Sequence, residues 1–176
     1  LSNDNLLEML NNLLEVHCYE VGEKFLNLTN FNLQQLLGEI ITQLLPLAQE
    51  KDLQLSFNSQ GNLREIKGDR LELRRVFTNL INNAIQYTDR GSIEVSFAPT
   101  HLNHWLIITI QDTGIGIAPE IQSGIFKRFR QGNHDRAGKG LGLYLCSQIV
   151  QAHRGFIEVE SQQNQGSVFT VRLPLS

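Results

Sequence analysis

The sequence predicts an α+β fold: a two-layer sandwich with helices on one face of a mixed β-sheet, preceded by one N-terminal helix. Three observations carry this. Strand-like segments come in adjacent pairs, 54–57 with 63–67, 93–97 with 105–110, and 156–161 with 167–173, rather than in regular βα alternation. Between them, apolar residues recur at helical spacing, as in Leu33, Leu36, Leu37, Ile40, Ile41, Leu44 and Leu45. The 176 residues, 41% hydrophobic and 19% charged, suffice for one full-sized core and speak against extended disorder.

The formal net charge of −3 disfavours a strongly basic nucleic-acid binder, and no nucleic-acid partner is expected. Cys18 and Cys146 are far apart and form no C-x-x-C pair, which excludes a disulfide framework or zinc cluster and suits a reducing, cytoplasmic compartment. No apolar run approaches a bilayer span, so no direct membrane contact is expected of this segment, although a longer protein carrying it can be membrane-anchored. The chain begins with Leu1 and reads as a piece of a longer polypeptide.

Residues 1–25 read as one helix with two apolar stripes, Leu6, Leu10 and Leu13 on one and Leu7, Leu14 and Val21 on the other, ending near Gly22. Two faces imply two packing partners, as in a helical hairpin that dimerises. A short extended stretch, 26–31, links it to the main domain, 32–176. Asn32 is placed to cap a second helix with Pro46 late in it, and Asp69 to cap a third over 70–88. A Gly-rich stretch of loops, 111–140, precedes a helix over about 141–153 and two closing strands.

Two glycine clusters stand out. Asp112-Thr113-Gly114-Ile115-Gly116-Ile117 follows a strand, and Gly138-Lys139-Gly140-Leu141-Gly142-Leu143 precedes a helix. Neither is a P-loop, since Lys139 is followed by Gly140, and neither sits in the βαβ context of a dinucleotide fingerprint. On the third helix, Leu73, Phe77, Leu80, Ile81 and Ala84 make an apolar face, and Asn79, Asn83 and Gln86 share one flank beside it. Asparagine is mildly unfavourable inside a helix, and its amide oxygen is a neutral hard ligand suited to Mg²⁺.

Together these segments resemble the sensor histidine kinases. Residues 79–88, from Asn79 through Asn83 to Tyr87 and Thr88, resemble the N box; 112–117 the G1 box; Ile125-Phe126-Lys127-Arg128-Phe129 the F box; 138–143 the G2 box; and Gly166-Ser167-Val168-Phe169 the last glycine element. All occur in family order across roughly residues 30–175. The resemblance implies the Bergerat ATP-binding fold, shared with gyrase-type ATPases, and ATP with Mg²⁺ as cofactors.

The resemblance also implies roles. Asp112 accepts a hydrogen bond from the adenine amine, which selects adenine over guanine. Gly114 and Gly116 let the backbone approach base and ribose. Asn83 coordinates Mg²⁺, and Tyr87 packs over the nucleotide. Gly138, Gly140, Leu141 and Gly142 open the last helix toward phosphate, under a lid formed by 130–140. Asn79 stands where hydrolytic relatives carry the glutamate that activates water; an amide cannot act as that base. Gln86 replaces a frequent Lys, Lys139 offers a nearby charge, and Arg128 and Arg130 compete to reach the γ-phosphate, with Arg130 preferred.

No histidine here matches the family's acceptor motif of His followed by Glu or Asp: His17 is followed by Cys18, and His101, His104, His134 and His153 also fail. His153 reads as a satisfied core imidazole and Cys146 as a buried thiol. The expectation is therefore an ATP-dependent protein-histidine kinase fragment. Its acceptor lies on a dimerisation domain of the same full-length protein, a homodimer that relays phosphate to a response regulator. A hydrolytic ATPase of the same fold, or a degenerate nucleotide-binding module, is the alternative.

Overall fold

The computed structural model describes residues 3–59, 65–100, 104–127 and 141–175. In chain order the elements are α1 (Asn3–Glu20), β1 (Thr29–Phe31), α2 (Leu33–Gln49), β2 (Gln54–Ser59), β3 (Ile66–Gly68), α3 (Arg70–Tyr87), β4 (Ser92–Thr100) and β5 (Trp105–Asp112). A single turn α4 (Pro119–Gln122), α5 (Gly142–Ala152), β6 (Phe156–Gln162) and β7 (Gly166–Pro174) follow. One mixed sheet runs β2-β4-β5-β7-β6, with β2 parallel to β4 and the other neighbours antiparallel.

The strand period of two sets what faces the core. Along β5, Leu106, Ile108 and Ile110 are buried, and the register places Ile110 between Val95 of β4 and Phe169 of β7, and Ile108 between Phe97 and Val171. Helices cover this face. Leu36, Leu37 and Ile40 of α2, Leu73, Phe77, Leu80 and Ile81 of α3, and Leu145, Ile149 and Val150 of α5 join one continuous core. The other face carries Glu94, Ser96, Thr109, Gln111 and Glu158, none of them buried, and an Arg172–Glu158 ion pair at 2.9 Å. This is the predicted two-layer sandwich.

The predicted caps form. Asn32 accepts from the Gln35 amide at 3.0 Å. Asp69 accepts from Leu71 and Glu72 amides at 3.1 and 3.2 Å, starting α3. Asp69 does more than cap: its second oxygen accepts from the Asn27 amide at 2.8 Å, and its own amide donates to His153 Nε2 at 2.9 Å. His153 Nδ1 lies 2.8 Å from the Ile149 carbonyl, so the Nδ1–H tautomer satisfies both contacts. One buried aspartate and one buried histidine thus lock the N-terminal linker, α3 and the end of α5 together, and His153 is the satisfied core imidazole that the sequence predicts.

One expectation is corrected. β2 and β3 do not form a hairpin: β3 pairs with β1 in a separate two-stranded ribbon, and β2 lies parallel to β4 across α3. The face by which α1 meets the domain is one that the sequence does not single out. Leu10, Leu14 and Val21 are exposed, whereas Val16, on neither predicted stripe, is fully buried with Tyr19 packed beside the core. The rest of that contact is polar. Tyr19 donates to Glu72 at 3.0 Å, Lys24 pairs with Glu72 at 2.9 Å, and Arg75 bonds Asn12 at 2.6 Å and pairs with Glu15. A hydrophobicity pattern misses this face because one valine and one tyrosine carry its apolar part.

Candidate functional site

The alternation that buries Leu106, Ile108 and Ile110 continues one step to Asp112, which is only 6% exposed. A carboxylate therefore ends the apolar face of the sheet. The register puts it beside Ile93 on one side and Ser167 on the other. Gly114 donates its amide to Asp112 Oδ1 at 2.9 Å. Burial, the larger effect, raises the Asp112 carboxyl above its ordinary value; the Gly114 and Ser167 amides pull it part of the way back. A raised carboxyl favours folding fully below the unfolded chain's value and loses that advantage as pH rises through the folded value. Ionising Asp112 therefore takes stability from the fold, a shift of the kind that clusters at functional sites.

The loop after Asp112 is pinned on both sides. Ile115 donates its amide to the Tyr87 carbonyl at 3.1 Å, tying the loop to the end of α3. Asn164 donates to the Ile115 carbonyl at 2.7 Å, and Ile117 donates to Ser161 Oγ at 2.8 Å, tying it to the β6–β7 hairpin. Ser161 and Ser167 hydroxyls meet at 2.9 Å beneath it. Gln122 of α4 donates to the Ile117 and Ser161 carbonyls at 2.8 and 2.7 Å. The glycines here also have a structural reason within the chain itself. A β-carbon on Gly114 would stand 2.4 Å from the Tyr87 carbonyl oxygen, and one on Gly116 would stand 2.0 Å from that of Gln162. Protein backbone fills the space a side chain would need.

Asn79, Asn83 and Tyr87 are half-buried along α3, at the side that leads from α5 to this loop. Asn79 donates to Cys146 Sγ at 3.1 Å, and a β-carbon on Gly142 would meet the Asn79 amide nitrogen at 2.8 Å. Asn79 is therefore pressed against the first turn of α5. That helix starts after Leu141 with no side-chain cap, leaving amides at its N-terminus for a ligand. The Cys146 thiol is buried and pushed up to about 11, chiefly by desolvation, which makes it inert as a nucleophile. Lys51 donates to the Ile85 and Gln86 carbonyls at 2.7 and 3.2 Å and holds the end of α3 in place. Phe126 of the F-box segment packs edge-on to Phe169, ring centroids 6.2 Å apart. Arg128, Arg130, Gly138, Lys139 and Gly140 lie outside the described residues.

Residues 68–176 match the family described as histidine kinase-, DNA gyrase B- and HSP90-like ATPases. The chain belongs to this family. Within it, the chain is similar to the signal transduction histidine-protein kinase BarA of Escherichia coli, 34% identical over 99% of this chain and 20% of the relative. It is also similar to the sensor histidine kinase RppB of Synechocystis, 41% identical over 81% of this chain and 32% of RppB. Among solved structures, full-length ShkA in complex with AMPPNP superposes with TM-score 0.90 at 26% identity, covering 98% of this chain and 36% of ShkA. The catalytic domain of the histidine kinase ThkA superposes with TM-score 0.76 at 26% identity, covering 85% of this chain and 99% of that domain. The chain thus spans only a fifth to a third of the length of these curated relatives. It is the ATP-binding catalytic domain of the sensor histidine kinase type, and the N-box, G1 and F-box segments fall inside the matched range.

The residues fit a nucleotide. A buried acceptor ends the sheet, a rigid loop walls it, and an uncapped helix start faces the N-box asparagines. Sequence reasoning missed the Ser161–Ser167 pair under the loop and Thr88 beside Asp112. The first follows only from cross-strand register. The second shows only as a buried hydroxyl. No helix among the described residues is long and apolar enough to cross a membrane.

Proposed function

We propose that this chain performs the phosphoryl-transfer step of a sensor histidine kinase. Bound Mg·ATP would donate its γ-phosphoryl group to a histidine on a dimerisation domain outside this segment, for relay to a response regulator. The observation that carries the reading is Asp112, a buried carboxylate delivered by strand alternation to the core face and walled by the Gly114–Ile117 loop. ATP supplies the transferable group; the chain's residues bind, orient and exclude water.

Asp112 takes the adenine amine, and Tyr87 covers the base. Asn83 holds Mg²⁺ together with the nucleotide's own oxygens; among the described residues no cluster of three or more His, Cys, Asp or Glu offers a metal site. Gly138, Gly140, Leu141 and Gly142 present amides to phosphate, while Arg130 and Lys139 supply positive charge. Asn79 is an amide donating to Cys146, not a base poised on water. Such a site holds ATP without activating its hydrolysis, which favours the kinase over a hydrolytic ATPase. Residues 1–25 would be the end of a dimerisation hairpin, 26–31 a linker with the first strand, and 32–176 the catalytic unit. The exposed Leu10, Leu14 and Val21 support a second helix covering α1 in a cytoplasmic homodimer.

Two tests follow. Asp112→Asn is expected to weaken ATP binding by roughly 10- to 150-fold, the worth of a charge-assisted hydrogen bond of about 1.5–3 kcal/mol; unchanged affinity by calorimetry would remove Asp112 from the site. Incubated alone with γ-labelled ATP, the chain is expected to show no acid-labile, base-stable label, because none of its five histidines lies in an acceptor motif. An added domain carrying the acceptor should take up the label. Phosphohistidine mapped to His17 or any other histidine here, or rapid phosphate release by the chain alone, would overturn the reading.

A further inference from the structure

Thr88 ends α3, with φ −106 and ψ 119, and is 0% exposed. Its hydroxyl has no hydrogen-bond partner among the described residues. Leaving a buried hydroxyl unpaired forfeits the hydrogen bonds it makes to water, so a fold keeps one only for a reason. Its position supplies one. A point one carbon–carbon bond out from the Gly114 α-carbon, where a β-carbon would be, lies 2.8 Å from Thr88 Oγ1 and 2.9 Å from Asp112 Oδ1. Two buried polar oxygens, one from the helix end and one from the strand end, flank the same patch of loop.

Their chemistries are complementary. An ionised carboxylate only accepts, whereas a hydroxyl also donates. The adenine edge presents a donor, the exocyclic amine, next to an acceptor, N1. Asp112 suits the first and cannot serve the second. We propose that Thr88 is a base-reading residue that donates its hydroxyl proton to adenine N1 while Asp112 accepts from the amine. This rests on the ATP-binding reading above and deepens it: adenine is recognised by a donor–acceptor pair. Guanine or hypoxanthine, with a carbonyl oxygen and an N1–H, mismatches both members. A site with paired requirements rejects the wrong base more strongly than a single carboxylate does.

The test uses the chain as it stands, with Thr88→Val and Thr88→Ser, titrated with ATP and with 1-deaza-ATP, which lacks N1. Thr88→Val is expected to weaken ATP binding roughly fivefold to tenfold, the worth of one hydrogen bond, with a nucleotide-free melting temperature at or above the parent's. Thr88→Ser should bind ATP within about threefold of the parent, because it keeps the hydroxyl. The parent should lose a similar factor toward 1-deaza-ATP, and Thr88→Val should no longer distinguish the two nucleotides. ATP affinity in Thr88→Val equal to the parent's would overturn the proposal. So would a lowered nucleotide-free melting temperature with equal losses toward both nucleotides, which marks a hydroxyl serving the fold. A parent that fails to bind ATP at all would instead sink the functional reading on which the proposal stands.

Discussion

Asn83→Ala is expected to lower Mg²⁺-dependent phosphotransfer to a separately supplied acceptor domain by on the order of 10²–10³, with the melting temperature nearly unchanged. The two halves of this expectation have separate physical grounds. The apolar face of α3 is Leu73, Phe77, Leu80, Ile81 and Ala84, all buried, and Asn83 lies half-buried beside it. Alanine is a better helix former than asparagine, so the helix loses nothing intrinsic. What would be lost is the neutral side-chain oxygen with which Asn83 would help hold Mg²⁺, the ion that would supply charge neutralisation at the phosphates. Nucleotide binding without Mg²⁺ should stay within about threefold of the parent, because the base contact at Asp112 is untouched. Transfer activity within tenfold of the parent would show that Asn83 is not the metal ligand.

The parts of this molecule that a reader of the sequence can see are those whose cause is local. The apolar strand from Trp105 to Ile110 is visible in the sequence, and Asp112 stands just beyond it; that Asp112 shares the buried face of Ile108 and Ile110 shows only once the strand is seen to run two residues further. The caps at Asn32 and Asp69 are visible because a cap needs only its own side chain and the next turn. The helix flank shared by Asn79 and Asn83 follows from spacing alone.

What stayed hidden has non-local causes. Nothing in residues 54–59 says that they pair with 92–97 in parallel instead of with β3; that choice depends on α3 packing between them as a crossover. The Asp112–Ser167 pairing needs the β5–β7 register, joining residues 55 positions apart with α4, α5 and β6 intervening. The glycines show the same limit. Spacing alone does not show that the Tyr87 and Gln162 carbonyls occupy the space beside Gly114 and Gly116. Val16 is a further instance: it is buried where α1 packs against α5, while Tyr19, Lys24 and Arg75 tie the N-terminal segment to α3.

Gly166→Ala is expected to be among the most damaging single-methyl changes near the site. Gly166 begins β7 with φ +109, a conformation that L side chains rarely adopt. Added space does not relieve it. A β-carbon there would lie 2.0 Å from the Asp112 carbonyl oxygen, at the end of β5, and 2.9 Å from the Thr113 α-carbon just beyond it, both backbone atoms. To accept the methyl group, β7 must part from the end of β5, and the register that sets Ser167 beside Asp112 is then lost. Backbone strain of about 1–3 kcal/mol and overpacking of about 1–3 kcal/mol act together. For a chain this size each kcal/mol lowers the melting temperature by about 2–4 °C, so a fall of roughly 10 °C is expected. ATP binding should weaken in parallel, because the Asp112 carboxylate moves with its backbone. Gly22→Ala separates strain from crowding: φ is +73 there, but nothing lies within 4 Å of the added carbon. That variant should lose only about 1 kcal/mol and keep its nucleotide affinity. If Gly166→Ala melted no lower than Gly22→Ala, the close approach of β7 to Asp112 would not be what holds this end of the site together.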